Sequence, residues 1–239
     1  MRLKSSLKDW LRRRALARAG IAVEVQRPVL RLGARSGVWT VDPTELGPHS
    51  VVYSFGLGDN IAWELAMIAR FGCQVHGFDP TPRALAWLRC QSLPPQLHIH
   101  PVGLGAFDGD QGFAEPTKTA DVNFRPTSEH ATSSLPVRRL ATLCRQLGHD
   151  HLDVLKMDIE GGEYLVLPDI LSQGPLPRQL LIEFHHGYHG VPFAATQAAA
   201  EALWARGYRI LDISRRGLEF SWLALDRLGA AAPTIDSKT

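Results

Sequence analysis

The distribution of apolar residues along the chain predicts strands that alternate with helices. Short runs rich in β-branched and aromatic residues indicate buried strands, and apolar residues three or four positions apart indicate amphipathic helices. Strands are predicted over residues 51–55, 74–78, 97–102, 152–157, 179–184, 208–213 and 220–225. Helices are predicted over residues 1–20, 60–71, 81–90, 137–147 and 193–206, with a further helix beginning at 163. This order is typical of an α/β domain with a mostly parallel sheet and helices on both faces.

The chain divides into three predicted parts. Residues 1–46 are expected to form an N-terminal extension, a basic amphipathic helix followed by a hairpin. Residues 47–228 form the α/β domain, and residues 229–239 are predicted to be a mobile tail. We expect the apolar stripe of the first helix to pack on its own domain; the alternative is contact with an anionic membrane surface or an acidic partner. The stripe consists of Leu3, Leu7, Trp10 and Leu11.

One long segment within the domain lacks periodicity. Residues 115–136 are rich in Thr, Ser, Pro and charged side chains, which is typical of a lid or a binding loop. The segment offers four candidate substrate contacts, Asp121, Asn123, Arg125 and His130.

Composition excludes several classes of function. The 239 residues, 45% of them hydrophobic, are enough to bury one large core. A formal net charge of +2 gives no overall field that favours nucleic acid. Cys73, Cys90 and Cys144 are far apart and odd in number, which argues against a disulfide framework and a zinc site. No apolar run reaches membrane-spanning length and no signal peptide is visible, so a cytoplasmic location is expected.

A glycine turn and an aspartate follow the first two core strands. Gly56 and Gly58 end the first strand, and Asp79 ends the second. Glycines let backbone N–H groups approach a ligand closely, and an acid about 20 residues later reaches the hydroxyls of a ribose. This pattern predicts a site for an adenosine-like ligand. Ile61 stands where a dinucleotide site has its third glycine, which argues against NAD and FAD.

Carboxylates and histidines follow two later strands. Asp158 and Glu160 come directly after the fourth core strand, where ligands of open parallel sheets bind. Two carboxylates there can hold the cationic end of a ligand or remove a proton from a substrate hydroxyl. His185 and His186 follow the next strand, and either one is a further candidate base. The spacing of His185 from His189 suits a metal pair, but no cysteine or predicted helix accompanies it, and no metal site is expected.

The stretch Lys156-Met157-Asp158-Ile159-Glu160-Gly161-Gly162-Glu163 resembles the Lys-x-Asp-x-Glu-Gly-x-Glu signature of the FkbM-type S-adenosylmethionine-dependent methyltransferases. Gly56 with Gly58, and Phe78-Asp79-Pro80, fall where that family keeps its first two cofactor motifs. Residues 105–109 resemble the motif after its third strand. The likeness covers roughly residues 50–190.

This resemblance implies a Rossmann-like class I methyltransferase fold with a seven-stranded sheet and S-adenosyl-L-methionine as cofactor. The implied reaction is O-methylation of a hydroxyl on a small molecule, a sugar or a secondary metabolite. Asp158, Glu160 and His185 are the expected catalytic residues. The expected cofactor contacts are Ser54, Phe55, Gly56, Gly58, Asp59, Asp79, Pro80, Gly103, Leu104 and Asp158.

Ser54 departs from the family pattern, which has an acid two residues before the first glycine. A serine can hydrogen-bond but cannot pair with the ammonium of the methionine portion; Asp59, just past the turn, is the acid considered in its place. Two other functions stay open. One is an NAD-dependent oxidoreductase on the same sheet, and the other is a degenerate, non-catalytic nucleotide-binding module.

Overall fold

The computed structural model describes residues 2–35, 37–116, 124–127, 129, 131–188 and 190–227, with the side chains of the first helix described from Leu7 onward. The predicted tail at 229–239 lies outside the described residues. So do His189 and three of the candidate substrate contacts, Asp121, Asn123 and His130.

Helices and strands of the described residues are numbered in chain order. The helices are α1 (Arg2–Arg18), α2 (Ala62–Phe71), α3 (Pro82–Leu88), α4 (Leu140–Leu147), α5 (Glu163–Gln173) and α6 (Phe193–Ala205). The strands are β1 (Leu30–Ala34), β2 (Gly37–Val41), β3 (Val51–Phe55), β4 (Gln74–Phe78), β5 (Leu97–His100), β6 (Gly103–Leu104), β7 (Gly109–Ala114), β8 (Arg125–Pro126), β9 (Ser133–Arg138), β10 (Val154–Met157), β11 (Gln179–Glu183), β12 (Tyr208–Ile213) and β13 (Glu219–Ala224).

Seven strands form the central sheet, in the order β12-β13-β11-β10-β3-β4-β5. Neighbours pair in parallel except at β13, which is antiparallel to both β11 and β12. Because successive side chains of a strand point to opposite faces, β3 contributes to two cores. Val52 packs with α2 and the β1–β2 hairpin, whereas Tyr53 and Phe55 pack with α4, α5 and α6. The predicted mostly parallel sheet with helices on both faces is confirmed.

A second, four-stranded sheet has the order β6-β9-β7-β8 and changes two predicted boundaries. The strand predicted over 97–102 ends at His100, because Pro101 has no N–H to continue the ladder. Gly103–Leu104 pairs instead with β9. The helix predicted over 137–147 begins only at Leu140, since Val137 and Leu135 are the buried, alternating positions of β9. Part of the segment predicted to be irregular, 115–136, is therefore strand.

The first helix exposes much of its apolar stripe. Leu7, Trp10 and Leu11 are 59%, 52% and 52% exposed, so the expectation that they pack on their own domain is wrong. The helix docks instead through its C-terminal half, where Leu16 is buried and the Arg12 guanidinium lies 5.1 Å from the centre of the Tyr188 ring. Among the described residues, no helix has the length and apolar character that crossing a membrane requires.

A cluster of histidines, His76, His98, His100 and His149, lies near β4 and β5 of the central sheet. The His76 ring stacks on His98 and His100 and meets His149 edge-on. Burial, followed by repulsion from His149, His100 and His98, lowers the pKa of His76 to about 3. Burial is also the main reason that the pKa values of His100 and His149 are lowered. The folded chain therefore holds the rings of His76, His100 and His149 neutral at pH 7.

We predict that His76 makes the chain less stable in acid. An unfolded histidine titrates near pH 6.5 and this folded one near pH 3, so the unfolded state binds more protons between these values. The stabilisation is complete above pH 6.5 and falls as the pH drops towards 3. Acid should lower the free energy of unfolding of the wild-type chain by on the order of 2 kcal/mol more than that of His76→Phe. This difference is smaller than the full pKa shift implies, because the His76 ring is only partly buried.

Urea denaturation at about pH 7.5 and about pH 4.5 measures this loss, because each midpoint reports the free energy of unfolding. His151→Phe is the control, since His151 is exposed. An equal acid-induced loss in the wild-type chain and in His76→Phe would contradict the prediction.

Candidate active site

A cleft of about 670 Å³ lies beyond the carboxyl ends of β3, β4 and β10. Ligands of open α/β sheets bind at this edge. Ser54 and His185, two of the predicted site residues, are not part of its lining. The other predicted site residues all line it, namely Phe55, Gly56, Gly58, Asp59, Asp79, Pro80, Gly103, Leu104, Asp158 and Glu160.

Gly56 permits the ends of β3 and β10 to approach each other. Its φ is 79°, in the left-handed region, and a Cβ atom at this position would lie 1.7 Å from the backbone oxygen of Asp158. A residue with a side chain would therefore force the two strand ends apart. The glycine is required by the backbone itself, before any ligand is considered.

Asp79 holds the glycine turn in place from the end of β4. Its side chain is buried, and its Oδ2 atom accepts hydrogen bonds from the N–H groups of Leu57 and Gly58, both at 3.0 Å. Its Oδ1 atom accepts from the backbone N–H and the hydroxyl of Thr81, at 2.9 and 2.6 Å. These four bonds use all the lone-pair positions of a carboxylate. A ribose hydroxyl would have to displace one donor, and the Thr81 hydroxyl can rotate away most easily.

The N–H groups of the glycine turn are turned towards the protein. Gly56 donates to the backbone oxygen of Phe78 at 3.0 Å, and the next two N–H groups donate to Asp79. The expectation that N–H groups of this turn meet the ligand is therefore not met at residues 56–58. The turn instead shapes the floor of the cleft.

The turn after β10 brings two carboxylates to a histidine. Nε2 of His185 lies 3.9 Å from Oδ1 of Asp158 and 3.5 Å from Oε2 of Glu160. The other ring nitrogen, Nδ1, lies 3.0 Å from Oε1 of Glu163 and 3.1 Å from the backbone oxygen of Glu183. Glu160 has a φ of 54°, a conformation that costs energy in a residue other than glycine. The backbone is therefore strained at Glu160, whose carboxylate approaches His185.

The surrounding acids keep His185 protonated. Burial by itself lowers the pKa of the imidazole, but the contact with Glu163, with smaller effects from Glu160 and Glu183, raises it to about 10. Burial, with repulsion from Asp158, likewise raises the pKa of Glu183 to about 8. An imidazolium has no free lone pair to accept a proton. Asp158 and Glu160 are therefore better placed than His185 to act as a base near neutral pH.

The neighbouring His186 is buried beside α6 and does not line the cleft. Its Nδ1 lies 3.0 Å from the hydroxyl of Thr196, and burial, followed by the charges of Arg12 and His185, lowers its pKa to about 4. His186 is thus neutral, while the adjacent His185 is charged.

The sequence profile described as "Methyltransferase FkbM domain" matches residues 33–210, well over half of the chain. The chain belongs to the FkbM methyltransferase family. S-Adenosylmethionine is the cofactor of this family, and the resemblance noted in the sequence is confirmed.

Two curated relatives are similar to part of this FkbM-family chain. Probable methyltransferase-like protein 24 of Rattus norvegicus and of Homo sapiens are each 29% identical to it over 156 residues. These alignments cover 64% of the chain but only 38% of the rat protein and 37% of the human protein. The chain therefore spans well under half the length of these relatives.

Solved structures of methyltransferases match this chain at low similarity. The METTL16 MTase domain is 11% identical, with a TM-score of 0.43, over 76% of this chain and 60% of that one. Aeropyrum pernix fibrillarin, in complex with natively bound S-adenosyl-L-methionine, is 11% identical with a TM-score of 0.41. That alignment covers 75% of this chain and 67% of the fibrillarin chain.

A buried ion pair occupies the place where the FkbM-family pattern has its first acid. Ser54 donates a hydrogen bond of 2.6 Å to Oε1 of Glu64, and Nζ of Lys156 lies 3.3 Å from the same oxygen. Lys156 also lies over the rings of Trp39 and Trp63, at 5.4 and 5.9 Å from their centres. Glu64 is completely buried, and its Oε2 has no hydrogen-bond partner among the described residues.

Glu64 is not among the residues predicted for the site, although the sequence carries a signal for it. The residue lies on the otherwise apolar buried face of α2, one position after Trp63 and three before Met67. A carboxylate in such a position is costly unless it is paired, so it marks a buried partner elsewhere in the chain. A buried carboxylate is therefore supplied by α2, directly beside Ser54.

We predict that restoring the family acid at Ser54 destabilises the chain. An aspartate there would place a second carboxylate next to Glu64, and buried like charges cannot both be solvated. Ser54→Asp should lower the free energy of unfolding by ~3 kcal/mol, against ~1 kcal/mol for Ser54→Ala, which loses only a hydrogen bond.

Chemical denaturation of the single variants and of Ser54→Asp combined with Glu64→Gln measures the coupling. The double variant keeps one carboxylate for Lys156, so it should recover most of the loss. Additive losses in the double variant would show that the two positions do not share one charge.

Proposed function

We propose that this chain is an S-adenosylmethionine-dependent methyltransferase that methylates a hydroxyl oxygen of a small molecule, such as a sugar or a secondary metabolite. One observation carries the proposal. The cleft joins the Asp79-held glycine turn on one side to the carboxylates of Asp158 and Glu160 on the other. The candidate cofactor residues and the candidate proton acceptors therefore face the same cleft. Its volume of about 670 Å³ is in the usual range for small-molecule sites.

The residues of the cleft fit the adenosine portion of the cofactor. Asp79 lies at the strand tip from which an acid reaches ribose, and Pro80, Leu104 and Phe107 give the neighbouring wall an apolar surface. An adenine ring is held by such surfaces through stacking and burial.

The charges beneath the glycine turn fit the methionine portion. Glu64 borders the cleft, and a turn of its buried side chain would bring the unpartnered Oε2 to an ammonium group there. Lys156 is already engaged with the other oxygen of Glu64, with Ser54 and with the backbone oxygen of Gly56. Glu64 is thus a candidate for the role that the family pattern gives to the acid at Ser54, with the exposed Asp59 as the other candidate.

The bound cofactor would supply a methyl group activated by a positively charged sulfur. The chain's own task is to orient an acceptor oxygen opposite that sulfur and to remove its proton. Asp158 and Glu160, whose side chains are 31% and 19% exposed, can reach an acceptor in the cleft. Since His185 lies behind them as an imidazolium, it acts as a positioning residue for their carboxylates.

We predict that Asp79→Ala abolishes measurable binding of S-adenosylmethionine, because it frees the glycine turn and removes any contact with ribose. Isothermal titration calorimetry measures the affinity, and Asp110→Asn, an exposed aspartate outside the cleft, is the control. An unchanged affinity of Asp79→Ala would contradict the role given to this residue.

Deoxy analogues of S-adenosylhomocysteine separate the two roles of Asp79. If the carboxylate binds ribose directly, loss of the 2′- or 3′-hydroxyl should weaken binding ~10-fold in the wild-type chain and much less in Asp79→Asn. An equal loss in both proteins would leave Asp79 only its role in holding the turn.

Transfer itself is tested with a labelled methyl group and fractionated pools of hydroxylated metabolites. Asp158→Asn and Glu160→Gln should reduce the rate of transfer by ~10²-fold or more, if the residue altered is the general base. Cofactor binding without transfer to any fraction would contradict the proposal and favour the non-catalytic binding module.

A further inference from the structure

We propose that Asp158, Glu160 and His185 form a binding site for a divalent cation of the Mg²⁺ or Mn²⁺ type at the wall of the cleft. The site is defined by geometry alone. One oxygen of each carboxylate and one ring nitrogen of the histidine all lie within 4.8 Å of one another. Its role in catalysis, though not its existence, rests on the proposed methyl transfer.

The separations between the three atoms are those of ligands around a shared centre. The histidine nitrogen Nε2 lies 3.9 Å from the Asp158 oxygen and 3.5 Å from the Glu160 oxygen. Both are longer than a good hydrogen bond, so Nε2 has no close partner among the described residues. A cation placed between the three atoms, at metal–ligand distances of ~2.0 to 2.6 Å, would reach all of them after small movements of the side chains.

The orientation of His185 is independent evidence for a ligand. The ring is only 7% exposed, and its Nδ1 side is fixed by the backbone oxygen of Glu183 and by the fully buried carboxylate of Glu163. A metal-binding histidine usually donates its other N–H to a carbonyl or a carboxylate in this way. The contacts leave Nε2 aimed at Asp158 and Glu160, and a cation bound there would displace the proton that this nitrogen carries in the unoccupied site. A buried ring nitrogen is thus directed at two carboxylates.

The donor set indicates which cation the site takes. Two carboxylate oxygens and one imidazole nitrogen, with no cysteine nearby, favour Mg²⁺ or Mn²⁺ over a soft metal. Asp158 and Glu160 line the cleft, so the remaining coordination positions face the space where an acceptor would lie. Water or the acceptor hydroxyl can occupy them.

A cation at this point would assist the proposed reaction as a Lewis acid. It would polarise the acceptor hydroxyl, whose proton leaves to solvent. The oxygen lone pair then forms the bond to the methyl carbon, and the electron pair of the carbon–sulfur bond passes to sulfur. Asp158 and Glu160 would serve as ligands in this scheme, and the cation would take over the activation of the oxygen.

Electron paramagnetic resonance of Mn²⁺, titrated into the untagged full chain without cofactor, tests the site directly. We expect one Mn²⁺ per chain, displaced by Mg²⁺, with a dissociation constant below ~1 mM. Glu160→Gln and His185→Ala should each weaken binding at least ~10-fold, and Glu163→Gln should weaken it by a similar factor through loss of the contact that orients the histidine.

His151→Ala is the matched control, because His151 also lies beside an aspartate, at 2.8 Å from Asp150, but outside the cleft. It should bind Mn²⁺ as the wild-type chain does. Glu160→Gln preserves the size of a side chain that is 19% exposed, so it keeps the test valid even if His185→Ala does not fold. No binding at ~10 mM Mn²⁺, or equal affinity in Glu160→Gln and His151→Ala, would overturn the proposal.

Calorimetry with S-adenosylmethionine on the same protein separates this proposal from the previous one. Cofactor binding and methyl transfer without any Mn²⁺ site would overturn the cation site and leave the methyltransferase function standing. A Mn²⁺ site in a chain that does not bind the cofactor would support the cation site and contradict the methyltransferase function.

Discussion

The carboxylate of Asp79 ties the ends of two strands together, and the geometry of the cleft depends on that contact. A single oxygen accepts the N–H groups of both Leu57 and Gly58, so the turn after β3 is held by the residue that follows β4. Gly56 makes the arrangement sterically possible on the other side, where the turn meets the backbone of Asp158. Three adjacent strands, β4, β3 and β10, are thereby linked at their carboxyl ends. The floor of the cleft is built by the protein before any ligand binds.

Charge is distributed around this floor in two separate groups. Beneath the turn, Glu64 is balanced by Lys156 and bonded to Ser54, so that the buried group is neutral as a whole. At the wall, the acids around His185 outnumber the cations, and the histidine holds its proton as a result. The first group is complete within the protein except for one oxygen. The second retains an excess of negative charge that suits a cation, whether this is part of the cofactor or a metal.

The glycine turn, Asp79 and the acids after β10 could be predicted from the sequence because each depends on local pattern. An apolar run that ends at a glycine or an acid indicates a buried strand whose carboxyl end lies at the ligand-binding edge of a parallel sheet. Glu64 could not be placed in the same way, since its partner Lys156 lies far along the chain and only the fold brings them together. The charge of His185 likewise depends on Glu163, Glu160 and Glu183, which meet it only in the tertiary structure.

Strand β9 was not predicted, because Pro136 lies between the buried residues Leu135 and Val137. A proline in that position is typical of a loop. The hairpin of β1 and β2, expected to belong to an extension, contributes Gly37 and Trp39 to the cleft wall. Its sequence predicts two paired strands but contains no sign of where they dock. The hairpin docks by packing against α2, and this contact depends on the shapes of both surfaces.

A crystal structure of the chain with S-adenosylhomocysteine would show directly whether Asp79 and the glycine turn hold the cofactor. We expect the ribose against Asp79, with a hydroxyl in the place of the Thr81 donor, and the amino-acid portion above Gly56 towards Glu64. A ligand bound elsewhere, or an Asp79 that keeps all four protein donors with the ribose out of reach, would contradict this role of Asp79.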